Sequence, residues 1–147
     1  MRAIVQRVSS AEVRDKASGD GGSIGAGLLL LVGIHVDDTE AQAKKLADKV
    51  VNLRIFNDAD GKMNLSMLDI PGLDVLAVSN FTVYGDCSKS RRPSFIASAP
   101  YAKGKDLFDR FVLFLREHGF TAPTGVFGAD MEVTLVNDGP VTVIVDV

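Results

Sequence analysis

The chain has 147 residues, 46 % of them hydrophobic and 24 % charged, with a formal net charge of −3. This is the composition of one globular domain with enough apolar material for a core. It excludes a protein that coats long nucleic acid through a broadly basic face, so any such contact is expected to be local. Cys87 is the only cysteine, which leaves no intrachain disulfide and no cysteine metal cluster, and with His35 and His118 the only histidines no metal site is expected.

Residues 2–13 alternate as a strand, with Ile4, Val5, Val8 and Val13 apolar and Gln6 and Arg7 between. Two charges and a glutamine interrupt this opening stretch early, so it lacks the apolar region of a signal peptide, and no run approaches a membrane span. A cytoplasmic protein is the expectation. The Gly/Ser/Asp-rich stretch 18–23 predicts a turn, and Leu28 to Ile34 a buried returning strand that completes a hairpin. Asp38 or Thr39 is placed to cap a helix running to about Asn52, with Ala43, Leu46, Ala47 and Val50 on one face.

Asn57 to Gly61 reads as a loop. Its carboxylates lack the alternate spacing and terminal glutamate of an EF-hand. Leu73 to Tyr84 reads as a strand, and the continuous run Val75 to Val78 predicts burial on both faces. A polar loop, Gly85 to Pro93, follows. Pro100 suits the first turn of a second helix carrying Leu107, Phe108, Phe111, Val112 and Leu115, with Gly119 as its stop. Met131 to Val136 and Val141 to Val147 are predicted as two last strands joined by Asn137-Asp138-Gly139-Pro140. The order predicts an α+β domain, residues 1–147, with two principal helices and a mainly antiparallel, curled, barrel-like sheet.

No dinucleotide or phosphate-loop fingerprint is present, and no cofactor is expected. The Gly-x-Ser-x-Gly elbow of serine hydrolases is absent around Ser79. Cys87 or Thr82 as nucleophile of a small-molecule hydrolase would need a base that the sequence does not place beside either. The cluster Lys89-Ser90-Arg91-Arg92 reads either as a solvated loop or as a phosphate contact for an RNA end. Gly139-Pro140 reads either as a plain turn or as a cis bond.

Several segments, in order from end to end, resemble the D-aminoacyl-tRNA deacylase family. They are Ile4-Val5-Gln6-Arg7-Val8 with Ala11-Glu12-Val13, Ile24 to Leu28, Arg54-Ile55-Phe56, Gly61-Lys62-Met63-Asn64-Leu65-Ser66, and Arg92-Pro93-Ser94-Phe95. The two hallmark elements are Ser79-Asn80-Phe81-Thr82, where the family usually has glutamine at position 80, and Gly139-Pro140-Val141-Thr142. The resemblance implies hydrolysis of the ester between tRNA and a D-amino acid by a homodimer whose pockets lie at the subunit interface. It implies that Ser79, Asn80, Phe81 and Thr82 form the catalytic element, with main-chain N–H groups of Phe81 and Thr82 facing the oxyanion. It also implies that Gly139, Pro140, Val141, Thr142, Arg7 and Met63 contact substrate. A cis Gly139-Pro140 is expected to aim its carbonyls into the partner's pocket, where an L side chain would project. Arg7 is expected to brace that loop, the alternative being a surface strand charge. Glycine, mischarged on the alanine tRNA, would pass the same filter. Lys89, Arg91 and Arg92 are the expected tRNA contacts. An L-alanine-specific relative of the same fold and an RNA-end binding module without chemistry are the alternatives.

Overall fold

The computed structural model describes residues 1–147. In chain order the elements are β1 (Arg2–Asp15), β2 (Gly21–Ile24), β3 (Gly27–Gly33), α1 (Glu40–Val51), β4 (Phe56–Asn57), β5 (Met63–Leu65), β6 (Asp74–Ser79), α2 (Tyr101–Glu117) and β7 (Met131–Asp146). Short 3-10 turns follow β5 and β6, at Met67–Asp69 and Phe81–Tyr84. No helix is long and apolar enough to cross a membrane.

β1 organises the sheet. One edge pairs antiparallel with β3 through residues 2–8 and with β2 through residues 11–14, which is the expected hairpin with a break at Gly25-Ala26. Its other edge pairs antiparallel with β7 over nearly its full length. β6 adds to β3 in parallel, from Gly27↔Asp74 to Val32↔Ser79. The two predicted last strands are therefore one strand on one partner. Residues 138–141 bulge from that ladder between the pairs Gln6↔Thr142 and Val8↔Asn137, and a second register shift falls between Val8 and Ser10.

The bulge explains the sheet's curl. Ala3, Val5 and Arg7 are buried on alternate positions, but Val8 is buried directly after Arg7, and Ala11 and Val13 follow it. Two successive buried residues break the period of two, so the two halves of β1 serve different cores. The first half joins Leu28, Leu30, Val75 and Ala77 under the helices. The second half joins Leu29, Leu76 and Val78 on the opposite face, with Met131, Val133 and Leu135 of β7 packed against them. Burial of Val75 to Val78 on both faces follows from these two clusters.

The helices form as their spacing predicts. Thr39 is the N-cap of α1, and Gln42 Oε1 accepts from its N–H at 2.9 Å. Leu46 and Val50 meet Leu107, Phe111 and Leu115 of α2 in the main core. α2 starts one residue after Pro100, and Gly119 leaves it with φ +95°, a left-handed exit open to glycine. The α2 cap residue His118 places Nε2 2.9 Å from Asp48 Oδ1 on α1.

That contact, then the Lys44 ammonium, holds the Asp48 carboxyl below its ordinary range. A folded value below the unfolded value of about 3.9 gives stability that is complete above about pH 4. The contribution is lost as pH falls through the depressed value. Asp48→Asn is therefore expected to lower the urea midpoint at neutral pH and to converge on the parent well below pH 4. A constant offset across that range would refute it.

Candidate active site

The parallel pair β3 and β6 ends at Gly33 and Ser79 on the same side of the sheet. A cleft of about 580 Å³ opens there, lined among others by Ser79, Asn80, Phe81, Thr82, Tyr101 and Phe127. The predicted strand Leu73–Tyr84 stops at Ser79, and the cause is Asn80. Its N–H still donates to Val32 O at 2.8 Å, but its side chain turns the chain. Asn80 Oδ1 accepts from the Thr82 N–H at 3.1 Å and from the Thr82 hydroxyl at 2.5 Å. This is the short-amide cap that asparagine makes and that starts the 3-10 turn.

The cap corrects one expectation. The Thr82 N–H already has an acceptor, so it is not a free donor for an oxyanion. The Phe81 N–H, first in the turn, has no partner within the turn. Ser98 Oγ donates to Phe81 O at 2.9 Å and fixes the turn from outside. The Phe81 ring stands edge-on to Phe95 with centroids 5.0 Å apart and remains 60 % exposed. The Thr82 hydroxyl spends its proton on an amide oxygen rather than a base. His35 accepts from the Asp37 N–H and stands edge-on to Tyr84, while His118 holds Asp48. Cys87 is exposed on the following loop. No group of three or more His, Cys, Asp or Glu side chains is placed to hold a metal ion.

A second group gathers around Arg7, which is 6 % exposed. Its Nε donates to Asp138 O at 3.1 Å and lies 3.2 Å from Asp138 Oδ2. Its Nη1 donates to Ile55 O at 2.7 Å and, more weakly, to Asn57 Oδ1 at 3.5 Å. Arg7 thus ties the 138–141 bulge to β4, whose partner strand carries the exposed Met63. The Gly139–Pro140 peptide is cis, and residues 137–140 are exposed. Gly139 has φ +126°, and a Cβ there would lie 3.0 Å from Val141 N, so only glycine fits. Thr142 Oγ1 donates to Gln6 Oε1 at 2.5 Å.

Within one chain the two groups stay apart: Arg7, Met63 and residues 139–142 do not line the cleft at Ser79–Thr82. Lys89 and Arg92 line a separate groove, and Arg91 lines neither. Tyr101 and Phe127, which stand edge-on to each other at 5.2 Å in the cleft wall, carry no motif that marks them in the sequence. The only signal for Phe127 is an aromatic residue inside the glycine-rich run 125–128.

The fold is shared at full length with solved proteins. One described as c-Myc DNA Unwinding Element Binding Protein superimposes with a TM-score of 0.90 at 34 % identity, over 100 % of this chain and 99 % of that one. Another, described as a probable eukaryotic D-amino acid tRNA deacylase, gives 0.86 at 18 % identity over 99 % and 98 %, which shows the fold alone. In sequence, a D-aminoacyl-tRNA deacylase of Thermotoga petrophila is 57 % identical over 99 % of this chain and 97 % of its own. One of Geobacter sulfurreducens is 53 % identical over 99 % and 95 %. The family model described as D-Tyr-tRNA(Tyr) deacylase matches residues 4–146, and the chain belongs to that family.

Proposed function

We propose that the protein hydrolyses the ester joining a D-amino acid to the 3′-terminal adenosine of tRNA, releasing free tRNA and the amino acid. The observation that carries this reading is the match to one deacylase family over residues 4–146. The cleft that exposes Phe81 and Thr82 supports it. Water adds to the ester carbonyl, and the oxyanion is met by the Phe81 N–H. The C–O bond to the ribose then breaks, and the ribose oxygen takes the proton. No side-chain base is assigned, and the neighbouring ribose hydroxyl assists the water.

Discrimination in this reading needs a second copy of the chain. The exposed bulge around Gly139-Pro140 would enter the partner's cleft and set main-chain carbonyls where an L side chain projects. D side chains and glycine, including glycine mischarged on the alanine tRNA, would pass. Val136 and Ile144 are exposed apolar residues on the edge strand β7, and they support self-association of this edge. Met63 would border the shared pocket, and the reaction would take place in the cytoplasm.

The test is deacylation of matched D-Tyr-, L-Tyr- and Gly-tRNA by the purified protein. Consumption of the first and third with the second spared is expected. Protection of all three esters would mean an RNA-end binder instead. Thr82→Ala removes one hydrogen bond of the cap, worth about 1 kcal/mol, and is expected to slow D-Tyr-tRNA hydrolysis by about fivefold. Complete loss together with a trapped acyl-enzyme on the parent would make Thr82 the nucleophile.

A further inference from the structure

A groove of about 560 Å³ lies beside the cleft, around the loop that follows the Phe81–Tyr84 turn. Val36, Tyr84, Lys89, Arg92, Ser94 and Ile96 are among its lining residues. Lys89 and Arg92 are exposed and form no ion pair in this chain. One carboxylate, Asp86, shares the groove, and its Oδ1 accepts the Ser88 N–H at 2.9 Å. Arg2 sits 5.1 Å from the Tyr84 ring centroid, but its charge is spent on Asp146 at 2.7 Å. Ile96 is 89 % exposed, the most open large apolar side chain in the protein. Two unpaired cations beside an exposed apolar surface suit a phosphate attached to a flat base.

The groove and the cleft share two walls. The backbone ribbon of 34–36 with 97–99 is held by Val36 N to Ala97 O and Ala99 N to Ile34 O, both 2.9 Å. Ile34 and Ala99 line the cleft, whereas Val36 and Ala97 line the groove. These positions are two residues apart, roughly 7 Å along an extended chain. The turn does the same, with Phe81 and Thr82 in the cleft and Tyr84 in the groove.

We propose that this groove holds the nucleotide immediately 5′ of the one whose ester is cut. Its phosphate rests on Lys89 and Arg92, and its base lies on Ile96 and Val36. The assignment rests on the reading of the cleft as the site for the terminal adenosine, and it gives Arg91 no part. It makes Lys89, Arg92 and Ile96 positioning residues that read chain length and leave the chemistry untouched.

Two measurements test it. The first is kcat/KM on D-Tyr-tRNA and on 3′-D-tyrosyl-adenosine, for the parent, K89A/R92A, I96A and R91A. K89A/R92A is expected to lose at least about tenfold on the tRNA, with the slope of log kcat/KM against log salt flattened by roughly 0.7 for one single-strand phosphate. Activity on the adenosine ester should be unchanged, and R91A should match the parent on both. The second is binding of a fluorescent trinucleotide ending in cytidine-cytidine-adenosine, against adenosine alone, which needs no catalysis. K89A/R92A and I96A should weaken the trinucleotide by at least about threefold each and leave adenosine unaffected. Equal losses on long and short substrates, or an unchanged trinucleotide affinity, would overturn the groove assignment. Trinucleotide binding that depends on Lys89 and Arg92 in a protein that cleaves neither ester would instead remove the hydrolytic reading and keep the groove.

Discussion

Asp38→Ala is expected to destabilise the protein by about 3–5 kcal/mol, the cost of stranding a buried charge. The Met1 ammonium is fully buried and lies 2.6 Å from Asp38 Oδ1. Its other acceptor is Val147 O at 3.2 Å. The second carboxylate oxygen of Asp38 takes the His35 N–H at 2.6 Å. Alanine would therefore leave a desolvated ammonium with one neutral acceptor, and a loop N–H with none. In a domain of this size each kcal/mol moves the melting temperature by about 3 °C, so a fall of roughly 10–15 °C is expected in a thermal scan. Asp38→Asn, which keeps hydrogen-bonding atoms without the charge, should fall between. A loss below about 1 kcal/mol for the alanine variant would show that the pair is solvated in the working protein.

Arg7→Ala is expected to lower stability by about 2–4 kcal/mol and to weaken rejection of L-aminoacyl-tRNA by about tenfold or more. The side chain is buried, and its fork spans three acceptors on two separate segments, Asp138 on one side and Ile55 and Asn57 on the other. Removing it leaves these groups unpaired and frees the bulge whose carbonyls carry the proposed discrimination. Arg7→Lys should recover little, because one ammonium cannot reproduce a planar fork. The readouts are the urea midpoint and the ratio of L-Tyr- to D-Tyr-tRNA hydrolysis. An unchanged ratio in a destabilised protein would confine Arg7 to a structural part.

What the residues disclose on their own is uneven, for physical reasons. Both helices are written in local spacing, since Leu46 and Val50, and Leu107, Phe111 and Leu115, recur with the helical period. The doubly buried strand is equally plain in Val75 to Val78. Sequence pattern extends β6 too far because Phe81 to Tyr84 has strand-like composition, and a single side-chain cap from Asn80 overrides it. The successive burial of Arg7 and Val8 is hidden in the sequence because each residue suits a strand separately. Both are buried only once distant segments supply the second core around Val8 and the acceptors of Arg7. The parallel pairing of β3 with β6 depends on segments nearly fifty positions apart, which no local period encodes. At the site, Ser79 to Thr82 are legible only through family resemblance, whereas Tyr101 and Phe127 arrive from distant segments by packing alone.

The pairing of β1 with β7 sets a constraint on synthesis. The first strand made must keep one edge unsatisfied until the last one emerges from the ribosome, on the order of ten seconds at ordinary elongation rates. Native contacts this distant in sequence also slow folding after release. A nascent chain of this topology therefore offers an open strand edge to chaperones and to neighbouring copies until the final segment closes it.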